Sequence, residues 1–296
     1  MFCLRIVHFF VPLFFEKEIF MAKQLIFGAL SLILMCLCAC GGGDKVVTSG
    51  EHGETDTVSM AKISTCDSAV FTVVEGEACV IKANVELSYP MTYVNKEKTE
   101  ELQDLYATEV LDIPSDTASL ASAFLYFVEK VINRYKDTDE NLRKEDLEAD
   151  YEAMKQCDID VKTYALYNNA GVLSLCKAEN VVINGELPVL LHYYYTYDLE
   201  KMKRLSYTDL CGEENATELG ELLKEKLRKD MGVNNDDDLV DMGYYNIDNL
   251  VANDNFYVTN DSIVWSYLPR ELSVFDEVRI SLARESVINL KEKNKK

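Results

Sequence analysis

The body of the chain alternates between the hydrophobic periods that distinguish strands from helices. Residues 78–89, ACVIKANVELSY, alternate apolar and polar positions and predict a strand. Apolar residues at helical spacing predict a helix over residues 96–111 and a second one after Pro114, which Ser115 and Asp116 can cap. The apolar face of the second helix comprises Leu120, Phe124, Phe127, Val128 and Val131. Residues 139–156 are strongly charged and predict a surface helix or a connector.

From Asp158 the hydrophobic period changes to two. Residues 160–167, 172–183 and 189–197 predict three strands of an antiparallel meander. A turn is expected at residues 168–171, and Asn184-Gly185 is a strong hairpin signal. One face of the last strand carries Val189, Leu191, Tyr193, Tyr195 and Tyr197. His192 lies on the opposite face of that strand.

A helical segment and a second group of strands follow the meander. Asn215 and Glu218 predict a capping box at the start of a leucine-rich helix, which Gly232 ends. Two strands joined by a turn at residues 260–261, and a further strand over residues 275–282, complete the pattern. Because strands and helices segregate, the pattern predicts an α+β fold: an antiparallel sheet packed with helices, in two consecutive subregions over residues 69–157 and 158–296.

The N-terminal region predicts export and lipid attachment. Residues 25–37 form an apolar run of signal-peptide length, and Lys23 supplies the positive charge before it. The run ends in Leu37-Cys38-Ala39-Cys40, which resembles the bacterial lipobox, and glycines follow. The resemblance implies cleavage before Cys40 and acylation of its thiol. We therefore expect a signal peptide over residues 1–39 and a lipidated, flexible tether over residues 40–68.

Residues 1–20 form a second apolar stretch that contains two glutamates. Met21-Ala22-Lys23 begins a well-proportioned signal peptide by itself, so Met21 is the expected start. The predicted location is the cell envelope, anchored in a membrane by the lipid on Cys40. The outer membrane is favoured, with the folded domain periplasmic or surface-exposed.

The charge balance is strongly acidic. The chain has 51 Asp and Glu residues against 30 Lys and Arg residues, a formal net charge of -21. Nucleic acid is therefore not an expected partner, because its binding requires a basic surface. The acidity fits a cationic partner, although solubility alone is the simpler explanation of it.

Five cysteines follow Cys40 in the sequence. None of them lies in a CxxC pair or at another metal-ligand spacing, and we expect most of them to be buried. Because five is an odd number, at least one of these cysteines is expected to be a free thiol or to form an intermolecular disulfide. A disulfide within the chain, such as Cys66 with Cys79, is possible. The five are Cys66, Cys79, Cys157, Cys176 and Cys211.

The sequence offers no evident catalytic or metal site. After Met21 the histidines are His52 and His192, so a Ser-His-Asp or Cys-His site would have to use His192. A strand histidine bonded to neighbouring groups is the simpler interpretation. Residues 234–238, NNDDD, invite a calcium interpretation, but Leu239 replaces the loop glycine and Tyr245 the closing glutamate. We expect no cofactor, no metal and no catalysis.

The C-terminal half resembles a bacterial domain family of unknown function. This family forms the extracytoplasmic domain of the lysozyme-sensing anti-sigma factor, and it also accompanies a peptidoglycan deacetylase. The shared landmarks are Asp198-Leu199, Leu205, Asp209-Leu210, Asp254-Asn255-Phe256-Tyr257, Thr259, Tyr267 and Glu271. The resemblance implies an α+β fold, an envelope location and a domain that does not catalyse; lysozyme binding belongs to one branch of the family.

One segment departs from the pattern of that family. The family commonly has Gly-Gly-Ala-His between the second and third meander strands, whereas residues 183–188 read INGELP, without histidine. A binding role of that segment is therefore not expected here.

Three functions follow as hypotheses. The first is a non-catalytic domain that binds a protein, lysozyme-like enzymes included, or a glycan. Its candidate ligand-binding residues are Tyr193, Tyr195, Tyr197, Trp265 and Tyr267. The second is an accessory role in peptidoglycan modification, and the third is a hydrolase that uses His192. The sequence leaves the oligomeric state open.

The lipobox makes a direct prediction about Cys40. A Cys40→Ser variant should lose incorporation of labelled fatty acid and accumulate as uncleaved precursor, because the acylated thiol is the expected recognition point for cleavage. Metabolic labelling followed by gel electrophoresis measures both effects. Cys38→Ser is the matched control and should still be labelled; a labelled Cys40→Ser protein would contradict the assignment.

Overall fold

The computed structural model describes residues 57–72, 78–114, 119–142, 155–274 and 276–293. All of them belong to one compact unit, Gly53–Lys296. The predicted signal peptide, the predicted start at Met21 and the predicted lipid attachment site at Cys40 lie outside these residues. Ser115, Asp116 and most of the predicted connector also lie outside them. None of the helices in the described ranges is long and apolar enough to cross a membrane.

A six-stranded sheet forms the larger half of the described chain. Its strands lie side by side in sequence order, and all neighbours are antiparallel except β2 and β3, which are parallel. The strands are β1 (Ser59–Thr72), β2 (Ala78–Thr92), β3 (Gln156–Asn169), β4 (Val172–Ile183), β5 (Val189–Asp198) and β6 (Lys203–Arg204). Strand β1 is therefore one edge of the sheet, and β6 is the other.

Helices cover one face of this sheet. They are α1 (Lys96–Leu105), which continues as a π-helix (Tyr106–Val110), and α2 (Leu120–Leu142). Together they form the connection between the parallel strands β2 and β3, as parallel pairing requires. Their apolar faces, with Tyr106 and Phe127 fully buried, pack on alternate residues of the strands such as Ile81, Ile159 and Leu175.

The rest of the described residues, from Tyr207 onward, form a second layer with its own core. A three-stranded antiparallel sheet in the order β7 (Phe256–Val258), β8 (Ser262–Tyr267), β9 (Val278–Ala283) packs with four helices. The helices are α3 (Tyr207–Cys211), α4 (Ala216–Met231), α5 (Asp236–Asp241) and α6 (Arg284–Lys293), with short 3-10 turns at Glu213–Asn215 and Ile247–Asn249. Trp265 is the largest residue of this core and has no exposed surface.

Buried polar contacts join the two sheets across the second face of β4 and β5. Ser174 Oγ and Thr196 Oγ1 lie 3.0 Å apart, and both bond to the backbone of β7. Thr196 donates to the carbonyl of Phe256 (2.9 Å), and the amide of Val258 donates to Ser174 (3.1 Å). Strand β5 is thus covered on both faces, by α1 and the π-helix region on one side and by β7 on the other.

The structure confirms the α+β prediction and most of the predicted strands and helices. The two turns predicted in the meander have the backbone that short hairpins favour. Ala170 and Gly171 have φ of 51° and 70°, and Asn184 and Gly185 have φ of 50° and 77°. These positive values explain why glycine ends each pair.

The tether predicted over residues 40–68 was too long at its C-terminal end. Residues 59–68 belong to β1 and pair with β2 along their whole length. Met60, Ile63 and Ala69 of β1 also pack against the core. The Ser, Thr and Asp content of this segment is typical of a linker. It is nevertheless a strand, because backbone pairing with β2 and this apolar contact stabilise it.

The predicted boundary between subregions at residues 157/158 also differs from the observed packing. Strands from both sides of that boundary share one sheet and one core, which extends from Val58 to Met202. The second core begins with Cys211 and ends with Leu290. The boundary between the two cores therefore lies after β6 in the sequence, and not before β3.

The capping box predicted at Asn215 is wrong. The Asn215 side chain makes no cap to helix α4 and instead donates to the carbonyls of Cys211 (2.7 Å) and Leu290 (3.0 Å). A capping box does occur one helix earlier, where Ser206 and Asp209 exchange hydrogen bonds at the start of α3. The hydrogen bond from the Lys203 side chain is the main reason why the pKa of Asp209 is lowered to about 2.

The cysteines are distributed as the sequence led us to expect. Cys79, Cys157, Cys176 and Cys211 are buried, and Cys66 is exposed. A Cys66–Cys79 disulfide does not fit, because Cys66 lies opposite Asn84 whereas Cys79 lies opposite Phe71, five positions along β1. At about 3.3 Å per residue the two are roughly 17 Å apart, beyond the reach of a disulfide.

Helix α4 provides a test of the second core. Gly220 is buried in this helix, and a Cβ atom there would lie 2.7 Å from the carbonyl oxygen of Leu250. Gly→Ala in an open helix position stabilises by about 1 kcal/mol. Here we expect Gly220→Ala to destabilise the protein by about 1–3 kcal/mol, because the backbone at Leu250 has to move.

The urea midpoint, followed by circular dichroism, measures this effect. Glu225→Ala on the exposed side of the same helix is the control and should shift stability by less than about 0.5 kcal/mol. An unchanged or raised midpoint for Gly220→Ala would show that the close approach is not a constraint.

Candidate functional site

A cleft of about 360 Å³ with aromatic residues in its lining lies at the helix-covered side of β5. One wall is the π-helix and the residues after it, the floor is β5 and β6, and the far wall is the segment after β8 together with Asn255, which directly precedes β7. The lining comprises Thr108, Glu109 and Asp112 from the first wall, Tyr193, Tyr194, Tyr195 and Arg204 from the floor, and Asn255, Leu268 and Glu271 from the far wall. We call this feature the cleft.

The tyrosines predicted on one face of β5 lie at and beneath the cleft. Tyr193 is half-buried and lines it, as does Tyr195, which is 7% exposed. Tyr197, at 1% exposure, lies beneath the two in the core, and its hydroxyl has no hydrogen-bond partner. Burial raises the pKa of Tyr195 and of Tyr197, so both are neutral hydroxyls at physiological pH.

Two cations of the protein itself lie against these rings. The Lys177 ammonium is 5.0 Å from the ring centroid of Tyr193 and 5.9 Å from that of Tyr195. The Arg204 guanidinium carbon is 4.7 Å from the centroid of Tyr195. Such distances are within the range of cation–π attraction. The tyrosine faces are therefore already in contact with positive charge.

A buried ion cluster supports the floor of the cleft. Glu179 is 2% exposed, accepts a hydrogen bond from Arg134 (2.9 Å) and lies 3.5 Å from the Lys177 ammonium. Burial lowers the pKa of Lys177, and the attraction of Glu179 opposes that shift. Burying these charges is costly unless they are paired, so the cluster fixes the side chains beneath the rings.

Arg204 connects three parts of the cleft. Its guanidinium donates to the carbonyls of Tyr194 (3.3 Å) and Asp254 (3.1 Å) and lies 3.5 Å from the Glu109 carboxylate on the π-helix. Because it also stacks on Tyr195, it joins the floor to both walls. The opening should therefore be rigid rather than adjustable.

The mouth of the cleft is acidic. Glu109, Asp112 and Glu271 contribute three carboxylates to the lining, against the single guanidinium of Arg204. Asp112 pairs with Lys130 outside the lining, and its side chain is 82% exposed. Glu271 accepts a hydrogen bond from the amide of Leu268 (2.6 Å). The lining thus has an excess of negative charge that faces the opening.

The predicted ligand-binding residues Trp265 and Tyr267 do not line the cleft. Trp265 is fully buried in the second core against Phe256, at a centroid distance of 5.9 Å. The Tyr267 hydroxyl donates to the carbonyl of Val251 (2.8 Å). The structure therefore groups Tyr193, Tyr195 and Tyr197, and it separates Trp265 and Tyr267 from them because β8 packs into the other core.

The opposite face of β5 carries His192 in a second polar cluster. His192 Nδ1 is 2.7 Å from Glu277 and 3.2 Å from Arg279. Glu277 also accepts hydrogen bonds from Ser266 (2.5 Å) and from Arg279 (2.8 Å). Burial alone would raise the pKa of Glu277, but these hydrogen bonds together outweigh it and lower the pKa.

This geometry gives no support to the hydrolase hypothesis. In a Ser-His-acid site the imidazole lies between the nucleophile and the acid. Here the Glu277 carboxylate lies between Ser266 and His192, and Ser266 has no exposed surface. The cluster is better understood as a structural link between β5 and β9.

The acidic run that invited a calcium interpretation starts a helix. Asn235 caps α5 by accepting a hydrogen bond from the amide of Asp238 (2.9 Å), and Asp236 accepts one from Arg228 (2.8 Å). In the described part of the chain, no group of three or more His, Cys, Asp or Glu side chains is placed to hold a metal ion.

Sequence reasoning missed the charged half of the cleft. Arg204 lies on the two-residue strand β6, and Glu109, Asp112 and Glu271 lie on surface segments far apart in sequence. The Lys203-Arg204 pair follows the turn at Asp198. This pattern could have predicted a short strand that pairs back with β5 at the edge of the sheet. The long-range assembly of the three carboxylates has no local signal.

Comparisons with known proteins place this architecture among bacterial proteins of unknown function. Residues 208–273 match the model of the family described as "Protein of unknown function (DUF3298)". A member of that family from Bacteroides fragilis, known from its crystal structure, is 17% identical and superposes with a TM-score of 0.61, covering 78% of this chain and 92% of that one. A family protein from Pseudomonas aeruginosa is 12% identical with a TM-score of 0.47, covering 78% and 93%.

No curated protein matches the chain in sequence. The resemblance predicted for the C-terminal half is thus confirmed in its coarser form, a bacterial domain family of unknown function. The likeness to the Bacteroides fragilis structure shows a shared fold. The link to lysozyme sensing and to peptidoglycan deacetylation stays a prediction.

Proposed function

We propose that this protein is a lipid-anchored envelope protein whose domain binds a cationic partner protein in the cleft and catalyses no reaction. The observation that carries the proposal is the placement of three carboxylates at the mouth of an aromatic cleft whose floor is fixed by buried ion pairs. A basic side chain of a partner is the group that this mouth attracts.

The anchor rests on the sequence around Cys40. Acylation at the lipobox cysteine would hold the domain at a membrane, with the outer membrane favoured and the domain periplasmic or surface-exposed. A lipid with two or more chains makes such anchoring stable, since each buried CH₂ contributes about 0.8 kcal/mol.

The state of the tyrosine rings favours a protein over a glycan. Sugars bind aromatic residues by stacking on an open ring face. Here Arg204 lies over Tyr195, and Lys177 lies near both Tyr195 and Tyr193. Ring faces in contact with the protein's own cations are less suited to stacking on a sugar ring.

Electrostatics favours a basic partner at two ranges. The net charge of -21 attracts cationic proteins from a distance and raises their association rate at low salt. At contact, Glu271 and Glu109 offer carboxylates to a lysine or arginine side chain that enters the cleft. A basic, lysozyme-like enzyme is the partner that the family resemblance implies. An accessory role in peptidoglycan modification is the alternative.

Calorimetry with a basic lysozyme tests the proposal. The triple variant Glu109→Gln, Asp112→Asn and Glu271→Gln keeps side-chain size while removing the charges at the mouth. Asn also tolerates the left-handed backbone of Asp112 (φ 53°). We expect the dissociation constant to rise about tenfold, equivalent to ~1.4 kcal/mol, and the difference to shrink as salt screens the charges.

A second triple variant controls for overall charge. Glu225→Gln, Asp261→Asn and Glu292→Gln remove the same number of charges at exposed positions that do not line the cleft. Equal weakening by both variants would show that general acidity, and not the cleft, attracts the partner. Absence of binding at low salt, together with retention on purified sacculi, would instead favour the peptidoglycan alternative.

A further inference from the structure

Strand β1 is a long edge whose outer side is open within the described part of the chain. It pairs with β2 over Ser59–Thr72 and is the terminal strand in the order of the six-stranded sheet. The opposite edge of the sheet, β6, spans only Lys203–Arg204. The outer side of β1 therefore presents a row of backbone groups that can pair with another strand.

The features that usually protect such an edge are sparse in β1. Its sequence, SMAKISTCDSAVFT, contains no proline and one lysine. The single β-bulge lies at its start, between Ser59 and Met60. One backbone amide is capped by a side chain, because Asp67 accepts a hydrogen bond from the amide of Ser68 (2.8 Å). The central part of the strand is thus regular and open.

The formal charge of β1 differs from the acidic balance of the whole chain. Two copies of a protein with a net charge of -21 repel one another over most of their surface. Strand β1 contains one cation, Lys62, and one anion, Asp67, so its formal charge is zero. Two copies that meet along this strand therefore bring no excess of like charge from β1 itself into contact.

The residues of β1 are also compatible with pairing to themselves. Antiparallel pairing of two β1 strands about Cys66 keeps nearly the whole strand paired, because Cys66 lies at its centre. This register places Lys62 opposite Val70 of the partner subunit and Ser64 opposite Ser68 of the partner subunit. No two like charges lie directly opposite, and the stem of Lys62 can cover a valine that is 67% exposed.

We propose that β1 is a two-fold interface at which two copies of this protein continue their six-stranded sheets into one sheet. Cys66, on the symmetry axis, lies close to Cys66 of the partner subunit. The β1 surface is separate from the cleft, so each dimer has two open clefts, one in each copy. A closed two-fold contact uses both open edges at once and leaves neither free to extend further.

Disulfide trapping tests the register on the full chain, solubilised from membranes in mild detergent. Diamide takes one hydrogen from each of two thiols and leaves a disulfide between them. We expect the wild-type protein to give a covalent dimer on a non-reducing gel and Cys66→Ser to give none, because the other described cysteines are buried.

The register is tested by moving the thiol in the Cys66→Ser background. Ser64→Cys alone should not cross-link, because the two copies of position 64 lie about 14 Å apart. Ser68→Cys alone should behave in the same way. A mixture of the two variants should cross-link. Cross-linking of every combination to the same extent would show random collision and would overturn the proposal.

Light scattering on an uncrosslinked sample tests the interface without cysteine chemistry. We expect a concentration-dependent shift from the mass of one copy toward two, and a loss of that shift in Ser64→Lys,Ser68→Lys. Both positions are exposed, and the register places the new like charges opposite one another. Circular dichroism should confirm that this variant folds. A mass of one copy at all concentrations, or a dimer insensitive to the lysines, would overturn the proposal.

Discussion

The alternation of side chains along β5 is the constraint on which the rest of the structure depends. On one face, Thr196 bonds to β7, and the amide of Tyr194 donates to the side chain of Asn255 (2.6 Å). On the other face, Tyr193, Tyr195 and Tyr197 pack toward the π-helix and α1. A shift of one residue would exchange the two faces. It would move Tyr193 and Tyr195 from the floor of the cleft to the face that contacts β7.

Because β5 is held from both sides, the cleft is a pre-formed site. The Arg134–Glu179–Lys177 cluster and Arg204 are buried or half-buried charges whose pairing requires defined positions. Such charges contribute little net stability, yet they fix the rings that they contact. The carboxylates at the mouth are more exposed than Glu179: the side chain of Asp112 is 82% exposed, and that of Glu109, which pairs with Arg204, is 39% exposed. The arrangement thus combines an aromatic floor fixed by buried charges with a more exposed, acidic mouth.

Local patterns were sufficient to predict β2 to β5, since a period of two holds over much of these strands and Asn184-Gly185 defines a hairpin. They were not sufficient for β1, whose serines, threonines and Asp67 resemble a linker and which is a strand because β2 pairs with it. The parallel contact of β2 with β3 spans a long connection and leaves no local signal. Tyr193 and Tyr195 of the cleft were among the predicted residues, but Arg204, Glu109 and Glu271 meet only in the folded chain, and Trp265 is fully buried in the second core.

Hydrogen–deuterium exchange with mass spectrometry tests most directly whether the cleft is the binding surface. Exchange is compared with and without excess basic lysozyme at low salt, where association is strongest. We expect slower exchange in residues 106–112 and 268–271, which form the two walls, and unchanged exchange at the turn over residues 259–262. Protection that spares both walls while lysozyme is bound would contradict the assignment of the cleft.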